Sequence, residues 1–189
     1  MMTKGAHSNP PDDELATTLQ QVDELRMRTR AAVHSAWFPM LLFGLIGLAS
    51  IPFGFIADGL GTAFFWLVAG PAGGYATSRH YRDRAISLGV GVRGGVYVVW
   101  GVILFFAAFL GGAITHSAAA PILAIAIGYL GFARLERNWA VAAVAIVLGV
   151  AAVVVAITDP AHGDVVLTLM FGLSFTVTGL LLRRRDPVG

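Results

Sequence analysis

The chain has 189 residues, of which 57% are hydrophobic and only 13% charged, with a formal net charge of +2, 23 glycines and no cysteine. A soluble domain carries about 25% charged residues, and a compact domain of this size must keep enough polar surface to meet water. The composition therefore excludes a soluble enzyme, a disordered protein and a disulfide-stapled secreted domain. It leaves a chain whose solvent is largely lipid.

Residues 1–36 are a polar head with both signs of charge. Asn9-Pro10-Pro11 followed by Asp12, Asp13 and Glu14 reads as a helix start, with acids at the positive end of the dipole. Leu15, Leu19, Val22, Leu25 and Thr29 recur at spacings of three and four, which predicts an amphipathic helix within residues 10–36. The stripe is shorter than the three or four heptads of a coiled coil. It suits docking of a partner protein or a second copy, contact with anionic lipid beside Arg26, Arg28 and Arg30, or packing on the chain's own loops. A cleavable secretory signal opens with a short basic region and a brief apolar core; this head does not.

From residue 37 to residue 182 the chain is mostly apolar. Six stretches approach or meet the roughly 20 residues a helix needs to cross hydrocarbon: 37–57, 60–78, 94–114, 118–133, 139–157 and 165–182. A run such as AVAAVAIVLGVAAVVVAI (140–157) lacks the alternating polarity of a barrel strand. Helices satisfy every backbone group internally, as lipid demands. Pro121 falls in the first turn of the fourth stretch, where its missing N–H costs little; Pro52 and Pro71 lie deeper and are expected to kink their helices. The links 57–61, 115–117 and 158–164 fall on one side, and 79–93 and 134–138 on the other. The reading is an all-α polytopic membrane protein. It has an N-terminal cytoplasmic segment with an amphipathic helix (1–36), six transmembrane helices as three antiparallel hairpins (37–182) and a basic tail (183–189).

All 13 lysines and arginines then share one side. Arg79, Arg82, Arg84, Arg183, Arg184 and Arg185 become cytoplasmic anchors, and the positive-inside rule places both termini in the cytoplasm. The opposite links hold Asp58, His116, Asp159, His162 and Asp164, and no Lys or Arg. The net charge follows from this sidedness, so it is no nucleic-acid signal. The run Arg79-His80-Tyr81-Arg82-Asp83-Arg84 reads first as a topology anchor, and second as a holder for an anionic headgroup or phosphorylated ligand. His34 and His80 lie beside arginines near the cytoplasmic surface, where a histidine either senses pH or simply faces the interface.

Little in the chain carries chemistry. The apolar stretches contain no Asp, Glu, Lys or Arg, which argues against a coupled transporter built on a buried carboxylate and leaves coupling through carbonyls and hydroxyls. His116, Asp159, His162 and Asp164 are the candidate metal ligands, by residue type. The competing reading is turn chemistry, with Asp164 capping the helix that follows it. No pair has the helical spacing of a zinc-protease motif. Gly89-Val90-Gly91-Val92-Arg93-Gly94 matches a bare GxGxxG, but no strand precedes it and a membrane span follows. No catalytic or cofactor-binding residue and no cofactor are assigned.

Gly70-x-x-x-Gly74, Gly91-x-x-x-Gly95 and the stripe Thr168, Gly172, Thr176, Gly179 are small-residue faces that let helices approach closely, first within the bundle and alternatively between two copies. Gly70, Pro71, Gly73 and Gly74 together are the candidate hinge. Trp37, Trp66 and Trp139 sit near span ends, as interface anchors do. Gly74-Tyr75 before Arg79, Gly128-Tyr129 before Arg134, and Gly179 before Arg183 suggest a threefold hairpin repeat.

The run FWLVAGPAGGYATSRHYRDR (65–84), with a polar head before Trp37-Phe38-Pro39, resembles stretches of small six-helix integral membrane proteins of high-GC bacteria. The use of 12 Arg against 1 Lys fits such a genome. The resemblance implies a multi-pass protein of the bacterial inner membrane, and no residue role carries over from it. The functional expectation is a non-catalytic accessory or signalling component that docks a partner, or itself, through residues 10–36. The alternative is a small permease, or half of one, for a neutral or lipophilic solute.

Overall fold

The computed structural model describes residues 16–23, 36–56, 60–89 and 95–184. Residues 16–23 are helical. Six longer helices follow: α1 (Trp37–Ser50), α2 (Leu60–Ser87), α3 (Gly95–Thr115), α4 (Ala119–Glu136), α5 (Trp139–Thr158) and α6 (Gly163–Arg184), with a 3-10 segment, Ile51–Phe55, continuing α1. No strand occurs among the described residues. Among the described residues, three helical stretches are long and apolar enough to cross a membrane: Trp37–Phe55, Trp139–Thr158 and Gly163–Arg184. Val99–Thr115 and Ala119–Arg134 are shorter apolar helices. The chain is all-helical, and these stretches point to a membrane protein.

Two expectations about the helix ends change. Proline at position 52 has no N–H to offer the Leu48 carbonyl, so that carbonyl takes the Ile51 N–H instead and the chain tightens into 3-10 geometry. At Pro71, by contrast, α2 continues as α-helix. That helix also continues past the predicted end at residue 78 to Ser87, so most of the expected 79–93 link is helix. Arginine and alanine are strong helix formers, and Arg79 pairs with Asp83 one turn on, Nε to Oδ2 3.7 Å. The helix stops where Gly89 adopts φ 67° and its N–H reaches the Ile86 carbonyl at 3.0 Å.

Consecutive helices touch one another, and α6 returns to lie along α1 in the largest interface of the molecule. The core mixes small residues with a few large ones. Helix α4 buries Ala119, Ile122, Ala126 and Ala133, and α5 buries Val141, Ala145, Leu148 and Ala152, spacings of three, four and seven that keep one seam facing its partner. Helix α6 buries Leu167, Phe171, Gly172, Phe175, Thr178 and Gly179, while α1 buries Met40, Gly44, Gly47 and Ser50. The outside is apolar: Trp139 is 86% exposed, Ile157 78% and Ile114 77%. Small residues line the close helix contacts beside a few large buried side chains, Met40, Leu167, Phe171 and Phe175 among them, while many large apolar side chains face outward, as expected where lipid supplies no hydrophobic drive for helix association.

The three positions of the suspected repeat sit in unlike surroundings. Gly74 has open space beyond its Cα, whereas a side chain at Gly128 would collide with Leu104 and one at Gly179 with the Leu41 backbone. Tyr75 is exposed, and Tyr129 packs edge-on against Phe175 at 4.7 Å.

Candidate functional site

Two ends of the helix bundle carry the polar residues. At one end lie the turns 116–118 and 159–162. His116, Asp159 and His162 all have left-handed backbones, with φ of 53°, 41° and 66°. His116 and Asp159 close helices: the His116 N–H bonds the Gly112 carbonyl and the Asp159 N–H the Val155 carbonyl, both at 2.9 Å. Histidine and aspartate are among the few non-glycine residues enriched in this conformation, which accounts for their presence without a ligand.

Asp164 has a different task from the expected one. It lies in the first turn of α6, but its Oδ1 accepts the Ser117 hydroxyl and the Ala118 N–H, both at 2.9 Å. Ser117 Oγ in turn accepts the Ala119 N–H at 3.1 Å. The carboxylate therefore caps the start of α4 and ties the turn between α3 and α4 to α6. Among the described residues no three His, Cys, Asp or Glu stand together to hold a metal ion. The candidate set His116, Asp159, His162 and Asp164 is not gathered into one site, and Asp58 lies outside the described residues.

At the other end, the first turn of α1 meets the last turns of α2 and α6. Trp37 packs edge-on to Phe38 at 5.5 Å and to His80 at 5.4 Å. Phe38 and His80 stack at 4.0 Å with 10° between their planes. The Arg183 guanidinium lies 5.4 Å from the centre of the Trp37 ring, a cation–π contact. Arg79, Arg82, Arg183 and Arg184 are exposed and Arg84 is half-buried. Arg185 and Arg26, Arg28 and Arg30 lie outside the described residues. Sequence reasoning placed Trp37 and His80 singly at an interface; their convergence depends on three helices distant in sequence.

The expected hinge is a packed segment in part. A side chain at Gly70 would meet the Phe105 ring and one at Gly73 would meet Phe43 and Ile46, while Gly74 faces open space. Gly172 lies against Leu48 and the Gly44 carbonyl, and Gly179 against the Leu41 backbone. The partners Gly44 and Gly47 escaped the sequence reading because they stand three residues apart rather than the four of a small-xxx-small pair. Along this seam the buried Thr176 hydroxyl has no hydrogen-bond partner among the described residues, nor does that of Thr77 on α2.

Two further surfaces are open. Residues 16–23 are exposed throughout, Leu19 and Val22 included. The predicted stripe's other members, Leu15, Leu25 and Thr29, lie outside the described residues. An apolar cleft of about 450 Å³ lies between the 3-10 segment and α2, lined by Phe53, Ile56, Gly61, Phe64, Phe65, Val68 and Ala69.

The chain matches no family model, no curated protein and no solved structure.

Proposed function

We propose that this protein is a non-catalytic component of the bacterial inner membrane that docks a partner through its N-terminal helix. In this reading all six helices cross the bilayer as three hairpins, and both termini lie in the cytoplasm. The length of α5, 20 residues, corresponds to about 30 Å, the thickness of the hydrocarbon. At 28 residues α2 exceeds that span, and its surplus is the arginine-bearing end that projects beyond the membrane. Arg79, Arg82, Arg84, Arg134, Arg137, Arg183 and Arg184 then share the cytoplasmic side, as the positive-inside rule requires.

The observation that carries the docking role is the uncovered apolar pair Leu19 and Val22, spaced three apart on a helix and 59% and 39% exposed. An amphipathic helix gains stability by covering such a face, and a groove on another protein or on a second copy supplies the cover. The test is cross-linking in native membranes, comparing the full chain with Leu19→Glu/Val22→Glu. The wild-type cross-links are expected to vanish in the double variant while its melting temperature holds. Unchanged cross-links would remove the proposal.

A second reading, passage of a lipophilic solute, is favoured by the apolar cleft beside Phe53 and Val68. Flux in proteoliposomes that Val68→Trp abolishes would support it; absence of flux, or flux indifferent to that substitution, would dismiss it.

A further inference from the structure

The described helix 16–23 is exposed along its whole length, with Thr18, Leu19 and Val22 uncovered. Its flanks carry opposite charges: Asp12, Asp13 and Glu14 precede it, and Arg26, Arg28 and Arg30 follow it. These flanks lie outside the described residues, and the amphipathic helix predicted within residues 10–36 supplies their register. In that register Leu15, Thr18, Val22 and Leu25 recur at spacings of three and four, the seam positions of two heptads. Leu19 borders the seam, while Asp23 and Glu24 fall away from it.

A helix whose acids come first and whose bases come last carries its own complement in reverse order. Two copies in one bilayer share an orientation, so the two-fold axis relating them runs along the membrane normal. A helix lying along the surface then meets its twin antiparallel. Leu15 comes opposite Leu25 of the second copy, and Thr18 opposite Val22. Asp12 and Glu14 come level with Arg26 and Arg28 of the second copy, twice over by symmetry. A parallel pair would set acids beside acids and arginines beside arginines. An anionic lipid surface would attract the arginines but repel the three acids. Two heptads are too few for a free coiled coil, but both helices are tethered to one membrane, which raises their effective concentration.

We propose that the partner covering Leu19 and Val22 is a second copy of this chain, paired antiparallel through residues 12–28. The pairing rests on the docking role above and names its occupant.

The full-length protein has no native cysteine, so introduced thiols and oxidative cross-linking in native membranes test the pairing. Gln21→Cys, next to the two-fold axis, should cross-link with itself. Leu15→Cys and Leu25→Cys should cross-link only when differently tagged copies of the two are co-expressed. Self-linking of either as efficient as the mixed pair would mean parallel helices and overturn the proposal. With Gln21→Cys as reporter, Asp12→Arg/Glu14→Arg and, separately, Arg26→Glu/Arg28→Glu should each lower self-linking about tenfold. Co-expressed, the two variants should restore it, because every opposed pair is again complementary; no restoration would overturn the pairing. A photo-cross-linker attached at Gln21→Cys separates this claim from the docking role. Adducts with other proteins alone would sink the second copy and keep docking, whereas adducts with lipid alone, or none, would sink both.

Discussion

Replacing Gly179 by alanine puts a single methyl into the seam between α1 and α6. An ideal Cβ there would stand 2.6 Å from the Leu41 nitrogen and 2.9 Å from its Cα. Both are backbone atoms, so no rotamer change can make room. Comfortable separation is about 3.5–4.0 Å, so α1 and α6 must part locally by roughly 1 Å, a displacement that forfeits about a quarter to a half of the dispersion energy of each contact affected. Met40, Phe171 and Phe175 are almost fully buried in the helices that form this seam. Overpacking of this kind costs about 1–3 kcal/mol, against a gain of about 1 kcal/mol for alanine over glycine in a helix. Because the obstacle is backbone that no rotamer can relieve, the upper part of that range applies, about 2–3 kcal/mol, and the expected net loss is about 1–2 kcal/mol. At Gly172 the first obstacle is the Leu48 side chain, Cδ2 and Cγ at 2.6 Å, which can rotate, so Gly172→Ala should cost less. Gly74 has nothing within 4 Å, and Gly74→Ala should be neutral or stabilising by up to about 1 kcal/mol. Equilibrium unfolding in mixed micelles ranks the three. A Gly179→Ala protein as stable as wild type, or Gly74→Ala as the most damaging of the three, would refute the close approach of α1 and α6.

Three further substitutions probe the helix ends. Asp164→Ala should destabilise by about 1 kcal/mol through loss of the α4 cap, and exchange of the Ala118 amide should accelerate; an unchanged exchange rate would dissolve the link. Asn138 Oδ1 accepts the Ala140 and Val141 N–H groups at 3.2 and 3.4 Å, so Asn138→Ala should cost a similar amount, read from the same unfolding titration. Arg137 holds φ 53°, and Arg137→Gly should stabilise by about 1 kcal/mol by relieving the left-handed strain; a loss of stability would show that its side chain matters more than its backbone.

The helices were legible because long runs without alternating polarity leave the backbone few other options. Their ends were less so. The segment after residue 78 was read as a link because its arginines mark the membrane boundary, but boundary and helix end are separate properties. No glycine or proline interrupts residues 76–88, and that local signal supports the continuation. Pro52 and Pro71 looked alike in sequence and act differently, since only at position 52 does the helix give way to 3-10 geometry. Asp164 looked like a cap for its own helix; its role at α4 arises from tertiary contact between segments 46 residues apart. The small stripe on α6 announced a close approach without naming its partner. The meeting of Trp37, His80 and Arg183 was illegible for the same reason, because no spacing rule connects three helices.

The central claim is that the helices thread the membrane with the arginine ends facing the cytoplasm. The chain has no native cysteine, so a single introduced thiol reports without background. Asp159 and Arg137 flank the two ends of α5. With an impermeant maleimide applied to spheroplasts, Asp159→Cys should label in intact cells and Arg137→Cys only after permeabilisation. Labelling of both from the same side would mean that α5 does not cross, and the reversed pattern would turn the molecule over; either result would contradict the account.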